Sequence, residues 1–378
     1  MADEILASEG GSPEKKKKTN WKKVLLIVFL SLLALAVLTL AAVGIYMNYL
    51  LDQVTPYDPA NDATLPSQEA EQLVEEDPEL IPVAPEDLEI PYIDDLLVPG
   101  ETVEPQPEET QPVEEPVNWD NVINIMLIGQ DREPGQGRQR SDSMILLTVN
   151  RSRGTITLTS FMRDQYVRIP GYKSNKMNAA YAFGGMKLLN ETLETNFGVR
   201  VDGDIEVDFS NFQKVIDLLG GVDINLTSKE AKYLNDLYQW RGTAWEVSSG
   251  MNRLDGEQAL AYSRIRKLDS DYRRAERQRK VISSIIQRYK SLSLPEMLDK
   301  VEDLLPLVTT NMSKSQIIGY AMEVAPMMAN LELNTMRIPV DGTFRQGNVR
   351  VRAGLAAWFQ YDIDFAANRK ALRDIFEE

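Results

Sequence analysis

The chain has 378 residues, enough for one or two domains with a sizeable core, and a formal net charge of −16. Residues 1–117 hold −18 of that charge and residues 118–378 hold +2, so an electropositive site in the folded part has to come from clustered arginine. The absence of Cys and His excludes disulfides, thiolate nucleophiles, Cys- or His-ligated metals and a Ser-His-Asp triad. Carboxylates, guanidinium groups, hydroxyls and oxygen-bound ions such as Mg²⁺ remain.

In chain order, residues 1–23 read as a basic cytoplasmic tail ending in Lys15 to Lys18, Lys22 and Lys23. Val24–Met47 carries no charge, and at about 1.5 Å per residue it is long enough to cross a bilayer, so it is expected to be a transmembrane anchor. The lysines before it place the N-terminus inside and everything after it outside. Residues 48–117 are rich in Pro and Glu, with no Lys or Arg. They are expected to form a disordered acidic stalk, because they cannot bury enough apolar surface to offset their ordering entropy.

Order is expected from Trp119, in a catalytic domain over 118–292 followed by C-terminal helices and a strand over 293–378. Asn124–Ile128, Ser143–Val149 and Thr155–Phe161 read as strands rich in Ile, Leu, Val and Thr. Met177–Phe197 has helical spacing. A strand near Ile205–Phe209, a helix over Phe212–Leu219 stopped by Gly220-Gly221, and a strand over Val222–Leu226 come next. Helices resume at Gly256–Tyr262 and Arg273–Tyr289, and a strand is expected at Leu333–Val340. The fold class is α/β (α+β): a central mixed sheet flanked by helices.

Four charged clusters fall at strand or helix edges. They are Gly129-Gln130-Asp131-Arg132, Arg138-Gln139-Arg140-Ser141-Asp142-Ser143, Arg163-Asp164, and Arg264-Ile265-Arg266 with Asp271 to Gln278. Asp271, Arg274 and Gln278 are spaced i, i+3, i+7 and share one helix face, beside an apolar stripe of Ile282, Ile285 and Ile286. Arg264 and Arg266 point the same way if their segment is extended. Repeated arginine suits a pyrophosphate, since the planar guanidinium donates two parallel hydrogen bonds to phosphate oxygens. The acids among them could hold Mg²⁺. Each cluster alone is more often a surface ion pair or a solvated helix face, so the functional case rests on their joint appearance. An outside location removes nucleic acid as a partner for the basic helix.

That joint appearance resembles the LytR-CpsA-Psr family of cell-wall glycopolymer ligases, from about Asn121 to Tyr289. It is carried by Leu127-Ile128-Gly129-Gln130-Asp131-Arg132, Arg140-Ser141-Asp142-Ser143-Met144 and Arg163-Asp164 with Val167-Arg168-Ile169-Pro170-Gly171. Lys176-Met177-Asn178-Ala179-Ala180-Tyr181, Leu254-Asp255-Gly256-Glu257-Gln258-Ala259-Leu260, Tyr262-Ser263-Arg264-Ile265-Arg266 and Arg277-Gln278 extend it. Met162 stands where many members have Pro, and Ser143 where many have Thr.

The resemblance implies a phosphotransferase on the outer face of a Gram-positive cell membrane. Its substrate would be an undecaprenyl-pyrophosphate-linked glycopolymer, such as teichoic acid or capsule, transferred to peptidoglycan with release of undecaprenyl phosphate. Asp131 and Asp142 are implied as the acids associated with Mg²⁺ (or Mn²⁺). Arg132, Arg140, Arg163, Arg264, Arg266, Arg274 and Gln278 are implied as the pyrophosphate clamp. Arg140, Arg163, Asp164, Arg266 and Asp271 are implied in catalysis, with Asp164 or Asp271 as the base. A polyprenyl-pyrophosphate phosphatase and a non-catalytic glycolipid-binding regulator are the competing expectations.

Overall fold

The structure is a computed structural model that describes residues 43–75, 79–83, 90–96, 117–130, 138–239, 245–292, 296, 300, 303–352 and 354–377. In a first unit, residues 1–52, residues 43–51 are helical. Residues 24–42 of the expected anchor lie outside the described residues. Among the described residues, no helix is long and apolar enough to cross a membrane.

The second unit, residues 53–378, holds the rest of the fold. It begins with β1 (Thr55–Pro56), α1 (Ser67–Glu75) and β2 (Ile81–Pro82). Then come β3 (Val122–Gln130), β4 (Ser141–Asn150), β5 (Thr155–Phe161), β6 (Tyr166–Val167), β7 (Asn175–Lys176) and α2 (Met177–Phe197), which is kinked at Gly184-Gly185. β8 (Gly203–Asp208), α3 (Phe209–Leu218), β9 (Val222–Leu226), α4 (Ser228–Gln239), β10 (Gly250–Leu254), α5 (Gly256–Ser263) and α6 (Asp271–Lys290) follow. The chain closes with β11 (Thr309–Thr310), α7 (Lys314–Val324), β12 (Glu332–Ile338), β13 (Arg345–Arg352), β14 (Leu355–Tyr361) and α8 (Phe365–Phe376).

A mixed seven-stranded sheet in the order β1-β11-β8-β3-β4-β5-β12 runs through the middle. Both faces are covered, which is why its central strands read as nearly unbroken apolar runs. Met126, Ile128, Met144 and Leu146 face the layer that holds α2 and α8. Ile123, Ile125, Ile145 and Val149 face the opposite layer, where Ile282 and Ile286 of α6 and Val324 of α7 pack. Phe197 joins the first layer together, its ring 5.4 Å from those of Phe161 and Phe365. Its truncation to Ala would cost roughly 3–5 kcal/mol.

A third core gathers Ile216 of α3, Leu234 of α4, Tyr262 of α5 and Val281 of α6. Two glycine sites set its geometry. Gly220 and Gly221, at φ 76° and 90°, turn the chain out of α3 into β9. Gly256 opens α5 so close to α3 that a Cβ there would lie 2.2 Å from the Gln213 carbonyl oxygen. Asp255 and Gln258 close a capping box at the same helix start. The C-terminal end of α5, where Arg264 emerges, is thereby fixed against α3.

The expected stalk is corrected in part. Tyr57, Ala70 and Leu96 are buried in the first core layer, and β1 and β2 pair with β11 and β14. A few apolar side chains spaced along an otherwise acidic stretch suffice to dock it, so composition averaged over the segment misleads. The expected C-terminal segment contributes β11 and β12 to the same sheet.

Candidate active site

Strand ends and helix ends meet at one edge of the sheet. β4 starts with Ser141-Asp142-Ser143, β5 runs out into Arg163-Asp164, α5 ends at Ser263 with Arg264 as its cap, and α6 opens at Asp271. The twenty-residue α6 points its N-terminus here, so its dipole adds to the positive potential.

Arg163 is the hub. Its guanidinium reaches Glu79 Oε1 at 2.7 Å, Asp142 Oδ1 at 3.3 Å, Asp164 Oδ2 at 3.5 Å and Asp271 Oδ2 at 3.6 Å. Burial alone would pull it down, but these four carboxylates raise it above the ordinary arginine value. Arg266 Nη2 donates to Asp142 Oδ1 at 3.2 Å, and Arg274 Nη2 donates to Asp271 Oδ2 at 2.8 Å. Arg274 is 4% exposed, and burial, together with Arg163 and Arg266 nearby, brings it down to about 10 against the pull of Asp271. Its Nη1 finds no hydrogen-bond partner among the described residues, which leaves a desolvated cationic donor for an anion to accept from. Burial pushes the Asp271 carboxyl up, with Asp164 adding to the shift and the arginines opposing it.

Two cavities share this edge. One of about 140 Å³ is apolar, lined by Leu127, Ile145, Ile205, Val207, Phe212 and Ile282 among others, and lies between sheet and helices. The other, of about 210 Å³, is lined by Asp142, Arg264, Arg266 and Arg274. Ser143, Phe209, Ser263 and Gln278 line both. The result is a cleft of two adjoining cavities, one greasy and the other cationic.

The expected residues converge here to a large degree. Asp142, Arg163, Asp271, Arg274 and Gln278 line a smaller common cavity. Asp164 is buried beside them, with its Oδ1 3.1 Å from Lys176 Nζ. Arg264 and Arg266 both line the cationic cavity, although Arg264 caps α5 rather than lying in an extended strand. The Arg264 guanidinium sits 4.4 Å over the Phe209 ring. Arg140 Nη2 donates to the Leu73 carbonyl at 3.1 Å. Asp131 and Arg132 lie outside the described residues.

Two participants escaped sequence reasoning. Lys176, 2% exposed, sits between Asp164 and Glu79; a lysine ending a strand just before a buried helix was the available signal. Glu79 had none, since one acid in a run of acids carries no mark. Arg277 goes the other way. Next to Gln278 in sequence, it turns into the third core and binds Glu230 at 2.7 Å and Asp269.

With the geometry in place, the chain's relatives can be compared. The sequence model of the LytR_cpsA_psr family matches residues 100–359. The polyisoprenyl-teichoic acid--peptidoglycan teichoic acid transferase TagT of Bacillus subtilis (strain 168) is 36% identical over 202 residues. That match takes in 52% of this chain and 62% of that protein, a little under two thirds of its length. The corresponding transferase TagU of Bacillus mycoides (strain KBAB4) is 33% identical over 248 residues, 65% of this chain and 75% of that protein. Among solved structures, the LytR-CPS2A-psr family protein YwtF (TagT) of Bacillus subtilis with bound octaprenyl pyrophosphate lipid superposes at a TM-score of 0.51. It is 27% identical, covering 70% of this chain and 94% of that one. With two thirds of its length matched and the charged motifs gathered at one cleft, the chain belongs to the LytR-CpsA-Psr family.

Proposed function

We propose that the chain is a glycopolymer–peptidoglycan phosphotransferase, acting on a polyprenyl-pyrophosphate-linked anionic polymer such as teichoic acid. The observation that carries this is the cleft itself. An apolar cavity shares four lining residues with one lined by three arginines, matching a molecule with a hydrocarbon tail and a pyrophosphate head. The names of TagT and TagU, and the octaprenyl pyrophosphate held by YwtF, point the same way.

In the proposed reaction a sugar hydroxyl of peptidoglycan attacks the phosphorus next to the glycopolymer. The new P–O bond forms as the bridging P–O bond breaks, and polyprenyl phosphate leaves. Such transfer needs alignment and charge neutralisation more than covalent help. Arg163, Arg264, Arg266 and Arg274 would hold the phosphate oxygens, with Gln278 beside them. Asp271, pushed up by burial and lining the cavity with Arg274, is the better placed of the two carboxylates to take the hydroxyl proton. Asp164, tied to Lys176, would orient Arg163.

Mg²⁺ or Mn²⁺ of the phosphate-bridging kind would suit such a site, since it takes one or two carboxylates and completes its shell with phosphate oxygens and water. Asp142 makes its contacts with Arg163 and Arg266 through Oδ1, and Asp131 would be the second ligand. No group of three or more acids that could cage a metal occurs among the described residues. When bound, the ion would neutralise charge on the phosphates. The uncharged run Val24–Met47 supports an outward-facing domain on a single membrane anchor.

The test supplies purified lipid-linked polymer with and without peptidoglycan, in Mg²⁺ and in chelator. Polymer attached to peptidoglycan by the unaltered chain, and lost in Arg266→Ala, is the expected result. Free polymer released equally fast without peptidoglycan would make it a phosphatase. Full attachment by Arg266→Ala would leave only a binding role.

A further inference from the structure

Gln53 to Val83 contains eight carboxylates and no lysine or arginine. This acidic stretch is pinned at both ends, where Thr55 pairs with Thr309 and Ile81 with Ala356. Between the pins, its described residues Leu73 and Glu79 meet arginines. The Leu73 carbonyl accepts from Arg140, and Glu79 reaches further in. Its Oε1 accepts from Arg163 Nη2 at 2.7 Å and lies 3.8 Å from Arg266 Nη1, while its Oε2 accepts from Lys176 Nζ at 3.4 Å. Burial works against its charge, yet Arg163 and Lys176 hold the carboxyl down at about 2. It is therefore an anion throughout the neutral range, with three cations around it.

We infer that Glu79 is a strap across the pyrophosphate site, its carboxylate an intrachain occupant that the lipid head group must displace. The inference rests on the pyrophosphate reading of the cleft and adds its regulation. A carboxylate and a phosphate present similarly spaced oxygens to a guanidinium, so one substitutes for the other. Tethering gives Glu79 an effective concentration in the millimolar range, enough to exclude weakly held anions. A pyrophosphate offers more oxygens and also engages Arg274, which Glu79 does not touch in the contacts above. The strap thus keeps a cluster of desolvated cations neutralised until a ligand with two phosphates arrives, and it raises the threshold for single anions.

The test titrates inorganic pyrophosphate calorimetrically into the full chain in detergent micelles. Glu79→Gln keeps the side chain's shape and removes the charge, and should bind pyrophosphate about tenfold tighter or more, the usual effect of removing a charged competitor's hydrogen bonds. Glu69→Gln, on the exposed side of α1, should match the unaltered chain. In the unaltered chain, amide hydrogen exchange at Glu79 and Leu80 should speed up when pyrophosphate is added, a readout that needs no variant to fold. Equal or weaker binding by Glu79→Gln, or slower exchange in the strap, overturns the inference. If Arg163→Ala still loses binding in that case, the pyrophosphate site stands without its strap. No binding by any of these proteins removes the site and the strap together.

Discussion

Replacing Arg274 by Met separates what the cleft needs for binding from what the fold needs for stability. Burial, with Arg163 and Arg266 nearby, holds this guanidinium at about 10 instead of its ordinary 12.5 even against the pull of Asp271, so keeping it charged in the native state costs about 3 kcal/mol net of that pull. Methionine fills a similar volume without that penalty. Against the gain stands the Asp271 oxygen left without its 2.8 Å donor, at roughly 1–3 kcal/mol. Asp271 would still have Arg163 at 3.6 Å. The two effects nearly cancel, and the variant should unfold within about 2 kcal/mol of the unaltered chain in a urea titration. Binding has no such offset. Losing a charged, desolvated donor should weaken a prenyl pyrophosphate about 10- to 150-fold by calorimetry. Polymer transfer should fall by roughly 100-fold or more. A variant that binds as before but loses more than about 4 kcal/mol of stability would make Arg274 a structural pin and refute this reasoning.

Arg277→Met should behave in the opposite way, because it strands Glu230 in the third core: a loss of roughly 3–5 kcal/mol in denaturant, whereas one under 1 kcal/mol would contradict the pairing seen here. Burial pushes Asp204 up to about 7 despite hydrogen bonds from Asn190 and Asn311. The native state therefore keeps a proton that the unfolded chain releases near pH 4, and stability should fall by up to about 4 kcal/mol as pH rises from 4 to 7. Asp204→Asn should flatten melting temperatures across that range; unchanged slopes would discard the assignment. Val207→Trp, which fills the apolar cavity, should weaken a long-chain prenyl pyrophosphate at least tenfold yet leave inorganic pyrophosphate within about twofold. Equal losses for both ligands would mean that the tail does not lie there.

The parts of the fold legible in the sequence are those where local pattern and tertiary role agree. Thr155–Phe161, Met177–Phe197 and Val222–Leu226 have the bounds that their apolar patterns predict, because each buries the faces its pattern marks. Gly220-Gly221 ends α3 where positive φ is required. The β13–β14 hairpin is not legible, since Arg345, Arg350 and Arg352 dilute an alternation that Val349, Ala357 and Phe359 anchor in the core. At the site, spacing brought Asp271, Arg274 and Gln278 together correctly, one helix face being a local property. Nothing local distinguishes Arg277, which turns away, from Gln278, which does not. Glu79 is harder still, because its position depends on pairing at Ile81 with a strand some 270 residues later.

The pairing of β1 with β11 and of β2 with β14 bears on where this protein can be cut. A chain begun at residue 118, where motif similarity would suggest a boundary, gives up Tyr57, Ala70 and Leu96 from its interior and leaves the backbone of Thr309–Thr310 bare along one side. Such a fragment should clump more readily and, stripped of Glu79, collect stray phosphate from any buffer. A preparation of that kind would overstate how eagerly the intact molecule takes up small anions.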